Sequence, residues 1–478
     1  MKKAFLDREW YLKRPMLWTL ILAMVLFLAW MPIKLALYPA AVLGDSTIML
    51  NQAAGARHII NNYSVLYVVL LRCALLLGTA LHLSRTAAVF LFAEVQSFIV
   101  ALALAWSLLR LLRNKAPLWL AGVGFLFFAL EPVIPVYSVS ILIDPFFAVS
   151  FLVFTLMLWE IARSNKCPSI RQLIVLACAG IALALFRNQG IYSVMIALII
   201  AAIVLRAARW RMAVVALICG GLVFSLLWVV FPALQMQGRA TDPYGVMIQQ
   251  VARVMATGKE LTPLDERFIA HIMPLEDWKK LYSPDLVDPI KWSPTFDNSY
   301  FAAHQKRFLS TWYREFLRYP GVYFQAGALQ TKGFWDPFVS KSGQYAETRV
   351  AANSLGIART DLLQKATGID IASVLSSENM VHYFIPPGML VWLTVLVAVV
   401  IVVRKRARLL VSLVPALSML LIFFAATPLA YSLRYVISLV FLLPSLVYLP
   451  FDTMDSVQKE QSGKNQDILL APERGVQA

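Results

Sequence analysis

Ionisable residues are sparse along this chain, and seven of them are expected at external ends of helices or in external loops: Asp45, His58, Arg72, Arg85, Asp144, Arg187 and Arg434. Charge at membrane depth is expensive and marks function by default. Carboxylates can accept protons, and the forked donors of arginine suit a phosphate. The pairing suggests an acceptor hydroxyl attacking a sugar carried on a lipid phosphate. Asp45, in Gly44-Asp45-Ser46, has two readings: general base or hydrogen-bond partner of the attacking group, or cap of a helix starting near Ser46. Asp144 precedes Pro145, the spacing of a helix cap with proline at the first helical position; a capping aspartate can also serve a site. In Phe186-Arg187-Asn188-Gln189-Gly190, Arg187 would clamp phosphate while Asn188 and Gln189 bind sugar hydroxyls; the alternative is a polar turn eased by Gly190. Arg434 reads as a second phosphate ligand or an interfacial anchor. Arg85 is a phosphate candidate, whereas Arg72 reads as a snorkelling side chain. His58 is a lone histidine in a polar loop, with little to make it a ligand. The carboxylates admit a divalent cation, but no metal-ligand set or cofactor motif appears.

The elements that must position these residues are membrane helices. Of 478 residues, 60% are hydrophobic and 15% charged, and the mean hydropathy is +0.69. Soluble domains are nearer ~45–50% apolar and ~25% charged, so a soluble enzyme is excluded. The net charge of +16 is explained by basic loops holding helix ends in the cytoplasm, without nucleic acid. Apolar runs at 16–37, 65–81, 87–109, 117–135, 146–161, 171–186, 191–205, 212–233, 385–403, 409–430 and 435–450 approach the ~20 residues that span a bilayer. The basic clusters at Arg110, Arg163, Arg206 and Arg404 all fall inside if 65–81, which carries Arg72, lies in the outer interface; the alternative is an ordinary span there. The expected fold is therefore an all-α polytopic membrane protein with about ten transmembrane helices. Its segments are a transmembrane module over 1–233 with a first external loop at 38–86, an external insert over 234–387, closing helices over 388–451 and a cytoplasmic tail over 452–478. The insert reads as mostly helical, because His304 to Arg318 alternates at helical spacing and Pro320-Gly321 ends that run. Its aromatics, Trp312, Tyr313, Tyr319, Tyr323, Phe334 and Trp335, could stack on sugars but more often form a small core.

An aspartate soon after the first helix, a long first external loop, an outward Asp-Pro at the start of a later span and a closing Leu-Arg-Tyr resemble the GT-C superfamily of membrane glycosyltransferases. The chain looks most like bacterial members with a Phe-Arg-Asn-(Gln/Asn)-Gly turn. Their late insert pairs a Tyr-Pro with a Gly-aromatic-Trp-x-Pro, here Tyr319-Pro320 and Gly333-Phe334-Trp335-Asp336-Pro337. It is similar, more loosely, to O-antigen serotype-converting glucosyltransferases. Where relatives often carry His-Pro after the first-loop helix, this chain has Asn61-Asn62-Tyr63-Ser64. The resemblance implies an inner-membrane enzyme moving a sugar from undecaprenyl phosphate to an extracytoplasmic glycan such as lipopolysaccharide O-antigen. It implies Asp45 as base, Asp144 at the acceptor site, and Arg187 and Arg434 toward the lipid phosphate. The rival readings are an O-antigen polymerase or ligase, and a transporter, which would show repeated halves and polar residues at mid-membrane.

Overall fold

The computed structural model describes residues 13–164, 166–236, 238, 240–339, 348, 350–376, 385–426 and 430–452. The expected cytoplasmic tail lies outside them, apart from Asp452. The described residues are all-α, with isolated bridges and no strand.

Helix starts are written in serines. Ser64 accepts a hydrogen bond from the Tyr67 amide and opens Val65–Ala80; Ser84 accepts from Ala87 and opens Arg85–Arg113. Ser169 and Gln172 form a capping box that opens Ile170–Phe186. Each satisfies amides that the first turn leaves without partners. Arg110 and Arg113 sit in the last turn of their helix, where the dipole favours cations.

Four helices are at least 18 residues long and apolar enough to cross a membrane: Arg85–Arg113, Asp144–Ser164, Arg206–Ala233 and Ala407–Ala426. Leu118–Leu130 and Val133–Val139 together make a fifth, bent by 57°. Six more apolar helices have 10–17 residues. The number of full-length spans is thus lower than the apolar runs suggest. Hydropathy does not register breaks: the first run divides into Pro15–Ala29 and Met31–Ala36 at Met31-Pro32, and the fourth bends at Glu131-Pro132. At ~1.5 Å per residue, 15 residues reach only ~22 Å. The set of apolar helices is compatible, by length and composition, with a multi-pass membrane protein.

Asp144–Ser164 is the hub. Its apolar window is 83% buried, and it packs against Arg85–Arg113, Ile170–Phe186, Leu410–Ala426 and Ile437–Tyr448. A helix surrounded in this way carries its first residue, Asp144, to the middle of one end of the bundle. The residues between the bundle's two halves build a second core around Ile248, Val251, Phe268, Trp278, Phe308 and Tyr323. Gln305–Arg318 is the helix expected there, and Pro320 starts the next one.

Candidate functional site

Four residues far apart in sequence meet at the end of the bundle where Asp144 begins its helix. Asp144 has no exposed side-chain surface. One of its oxygens accepts from Arg187 Nη2, and the other accepts from Arg434 Nε at 3.1 Å. Arg434 Nη1 also donates to Asp45 at 2.9 Å. The Asp45 carboxylate accepts a second bond, at 3.3 Å, from the Tyr63 hydroxyl. Two carboxylates and two guanidiniums therefore form a charge-balanced chain: Asp45, Arg434, Asp144, Arg187.

Neither aspartate spends its side chain on a helix end. Asp45 lies inside the first turn of Gly44–Ala53, which follows Leu43, and the Leu43 amide is taken by Ser46 Oγ. The capping alternative for Asp45 therefore fails because Ser46 does that work, and Arg434 holds the carboxylate. Asp144 is the first residue of its own helix, with both oxygens occupied by arginines.

Several tethers hold the chain of charges in place. The Ile141 amide donates to Ala41 at 3.0 Å, and the Ala351 amide donates to Val42 at 2.6 Å, which pins the strand-like approach to Asp45. Gln96, fully buried, donates to Ser138 and Ser140 and accepts from the Tyr67 hydroxyl, fixing the approach to Asp144. Ser64 Oγ donates to Leu185, and Asn188 Nδ2 donates to Asn61, which ties the Arg187 turn to the first loop. Gly190 follows this turn not for a left-handed conformation but for room: a Cβ there would lie 2.5 Å from the Leu183 carbonyl. Gly333 plays the same part against Tyr431 at 2.5 Å, letting the insert touch the segment before Arg434.

Arg187 is 7% exposed. Its guanidinium lies 5.0 Å from the Phe147 ring, 4.9 Å from Tyr435 and 5.6 Å from Phe423. Arg187 Nη1 is buried and has no hydrogen-bond partner among the described residues. A buried charged donor left over from its ion pair calls for a partner, which a ligand atom or a water can supply.

The insert adds a further carboxylate, Asp288. Burial pushes it up, Lys291 pulls it down, Asp45 pushes it up again, and a bond from Trp292 pulls it down. Sequence reasoning passed over Asp288 and Tyr63; Tyr63 stands where the resemblance expects His-Pro, and that departure was the available signal.

The other candidates are elsewhere. Arg85 starts its helix and is exposed. Asn188 serves as a tether, and Gln189 is exposed at the start of Gly190–Val204. Arg72 is exposed, and His58 meets the Gln235 carbonyl at 3.2 Å. Among the insert aromatics, Tyr323 and Phe334 are buried, Trp312 and Tyr319 pack against the insert core, and Tyr313 and Trp335 are exposed. No group of acidic, histidine or cysteine side chains among the described residues is arranged to hold a metal ion.

No curated protein and no solved structure matches this chain. Residues 55–466 match one family over most of the chain's length, taking in Asp144, Arg187 and Arg434 and starting just after Asp45. The chain belongs to that family, DUF6020, a family of unknown function.

Proposed function

We propose that the protein is a membrane glycosyltransferase that moves one sugar from a polyprenyl phosphate to a glycan outside the cytoplasmic membrane. One observation carries this reading: a potential base and two arginines, one with a buried free donor, converge at one end of an apolar bundle. The resemblance to GT-C enzymes supports it, as does the lipid tail, which an apolar bundle suits.

In this reading the bundle crosses the membrane about ten times, the shorter helices doing so where the bilayer thins or other helices line them. The charge cluster faces the periplasmic side, and the insert lines the acceptor cleft. Arg187 and Arg434 hold the donor phosphate. The acceptor oxygen attacks the anomeric carbon as the bond from that carbon to the phosphate oxygen breaks. The electron pair of the broken bond leaves with the polyprenyl phosphate, the acceptor proton goes to Asp45, and attack opposite the leaving group inverts the anomeric centre. A polymerase or ligase would draw its key arginines from the insert. Here the two arginines that meet the paired carboxylates come from the bundle, which favours the single-sugar transferase.

Surface-glycan analysis of cells with and without the gene tests the activity: loss of one side-branch sugar is expected, whereas loss of long chains would point to a polymerase. A cysteine at Ser283 should react with an impermeant thiol reagent in intact spheroplasts; protection until the membrane is opened would place the cluster on the wrong side.

A further inference from the structure

Resting on that reading, the cluster poses a contradiction: the base and a phosphate ligand are bound to each other. Arg434 Nη1 reaches Asp45 Oδ2 at 2.9 Å, so Asp45 occupies a donor that the phosphate would need. The charges also balance, two carboxylates against two guanidiniums. Adding an anion without other change would leave a buried excess of negative charge beside Asp288, which is costly.

We propose that Asp45 is a built-in stand-in for the substrate phosphate, displaced from Arg434 when that phosphate binds, so that the donor itself frees the base. The geometry selects which carboxylate yields. Asp144 is fully buried and held by both arginines. Asp45 is 38% exposed, has a single arginine bond, and keeps a second partner in Tyr63 when that bond opens. Arg187 Nη1, buried and without a hydrogen-bond partner among the described residues, offers the anion a donor with no hydrogen bond to give up. A phosphate entering there would take Arg187 Nη1 and then Arg434 Nη1, and Asp45 would turn to Tyr63. Asp144 would remain as the fixed post between the two guanidiniums. Tyr63 is in this scheme a positioning residue. The order of events follows: an acceptor hydroxyl meets a free base only once a donor is in place, so water and stray hydroxyls find Asp45 occupied.

The test separates this exchange from the function it rests on. Undecaprenyl phosphate and inorganic phosphate would each be titrated against the purified full-length protein in lipid nanodiscs, for wild type, Asp45→Asn and Asp45→Ser. Unliganded melting would be measured first to establish folding. Removing a competing carboxylate should tighten undecaprenyl phosphate binding about fivefold, the equilibrium equivalent of one partly exposed ion pair, in both variants. A purely structural Asp45 predicts the opposite, because its loss would loosen Arg434. Equal or weaker binding in the two folded variants, with wild type binding normally, overturns the exchange and leaves the phosphate site standing. Failure of wild type to bind either probe removes the phosphate site and the exchange with it. Tightening seen equally for inorganic phosphate supports the exchange and shows that the headgroup alone drives it.

Discussion

Asp265 and Asp144 are both buried and clamped by arginine, and they differ in what the arginine does with the rest of its donors. In the insert, Asp265 has no exposed side-chain surface. It accepts from Thr262 and Thr311, both at 2.7 Å, from Arg314 Nε at 3.1 Å and from Arg314 Nη2. Arg314 itself is 44% exposed, so its remaining N–H groups reach solvent. In the bundle, Asp144 is equally buried, but Arg187 is too, and one of its nitrogens has no partner among the described residues. The first arrangement satisfies its donors within the insert and at the solvent. The second leaves one buried donor without a hydrogen bond among the described residues, and in the proposed reading that donor is the one a phosphate takes. Burial and ion pairing alone do not separate a structural carboxylate from a functional one.

The largest effect should come from the charge that the comparison puts at the reacting end. Asp45→Asn keeps the shape and can still accept from Arg434 and Tyr63, but it cannot take up a proton. Sugar transfer by the purified protein should fall by about 10²–10⁴-fold, with insertion and melting close to wild type. Near-normal rates for this variant and for Asp144→Asn alike would leave the transferase without a base.

Next comes the clamp itself. Asp144→Ala leaves Arg187 charged and buried, at a cost of about 3–5 kcal/mol, and should lower folded yield and melting temperature sharply. Asp144→Ala combined with Arg187→Met removes both charges and should recover much of the stability without recovering transfer. If the double variant is as unstable as the single one, the cost lies in packing against Phe147, Phe423 and Tyr435 rather than in the lone charge. Arg187→Lys should then lower transfer by about tenfold or more, since it keeps the charge but loses one charge-assisted hydrogen bond of the fork. Arg72→Lys, at an exposed position, should leave transfer unchanged. Equal rates for the two lysine variants would remove Arg187 from the site.

The contrast also explains what the sequence made legible. Asp45, Asp144, Arg187 and Arg434 stood out because charge near membrane depth needs a reason, and the structure brings all four together. The direction of a side chain at a helix end is not written in hydropathy, so Arg85 and Gln189 were also candidates; both are exposed. Tyr63 and Asp288 were hidden because their neighbours come from distant segments: a tyrosine or aspartate in a polar stretch carries no local mark of the charge it will face. Gln96 is hidden for the opposite reason, as one polar residue inside a helical run whose partners are backbone carbonyls of the Ser138–Ser140 turn. The helices themselves were legible as apolar runs, but their breaks at Met31-Pro32 and Glu131-Pro132 depended on backbone geometry that composition averages away.

The smallest effect expected is a difference of sign within the insert. Asp265 is pushed up by burial but pulled down further by Arg314, Thr311 and Thr262, and it settles below its ordinary 3.8. A carboxyl with a lowered folded pKa adds stability that is complete well above 3.8 and is lost as pH falls through the lower folded value. Asp288 settles above 3.8, because burial and the charges of Asp45 and Asp242 outweigh Lys291 and the Trp292 bond. Its ionised form costs stability at neutral pH, and that cost disappears as pH falls through its raised folded value. Asp265→Asn should therefore destabilise the insert at pH 7 and flatten its loss of stability in acid. Asp288→Asn should be neutral or slightly stabilising at pH 7, by under about 1 kcal/mol given that the site is partly open to solvent. Thermal unfolding of the insert followed from about pH 7 down to about pH 2, for wild type and both variants in nanodiscs, reads the two signs directly. Destabilisation by Asp288→Asn at neutral pH would mean that its bond to Trp292 outweighs the repulsion from Asp45, and would move Asp288 to the fold-serving class that Asp265 represents.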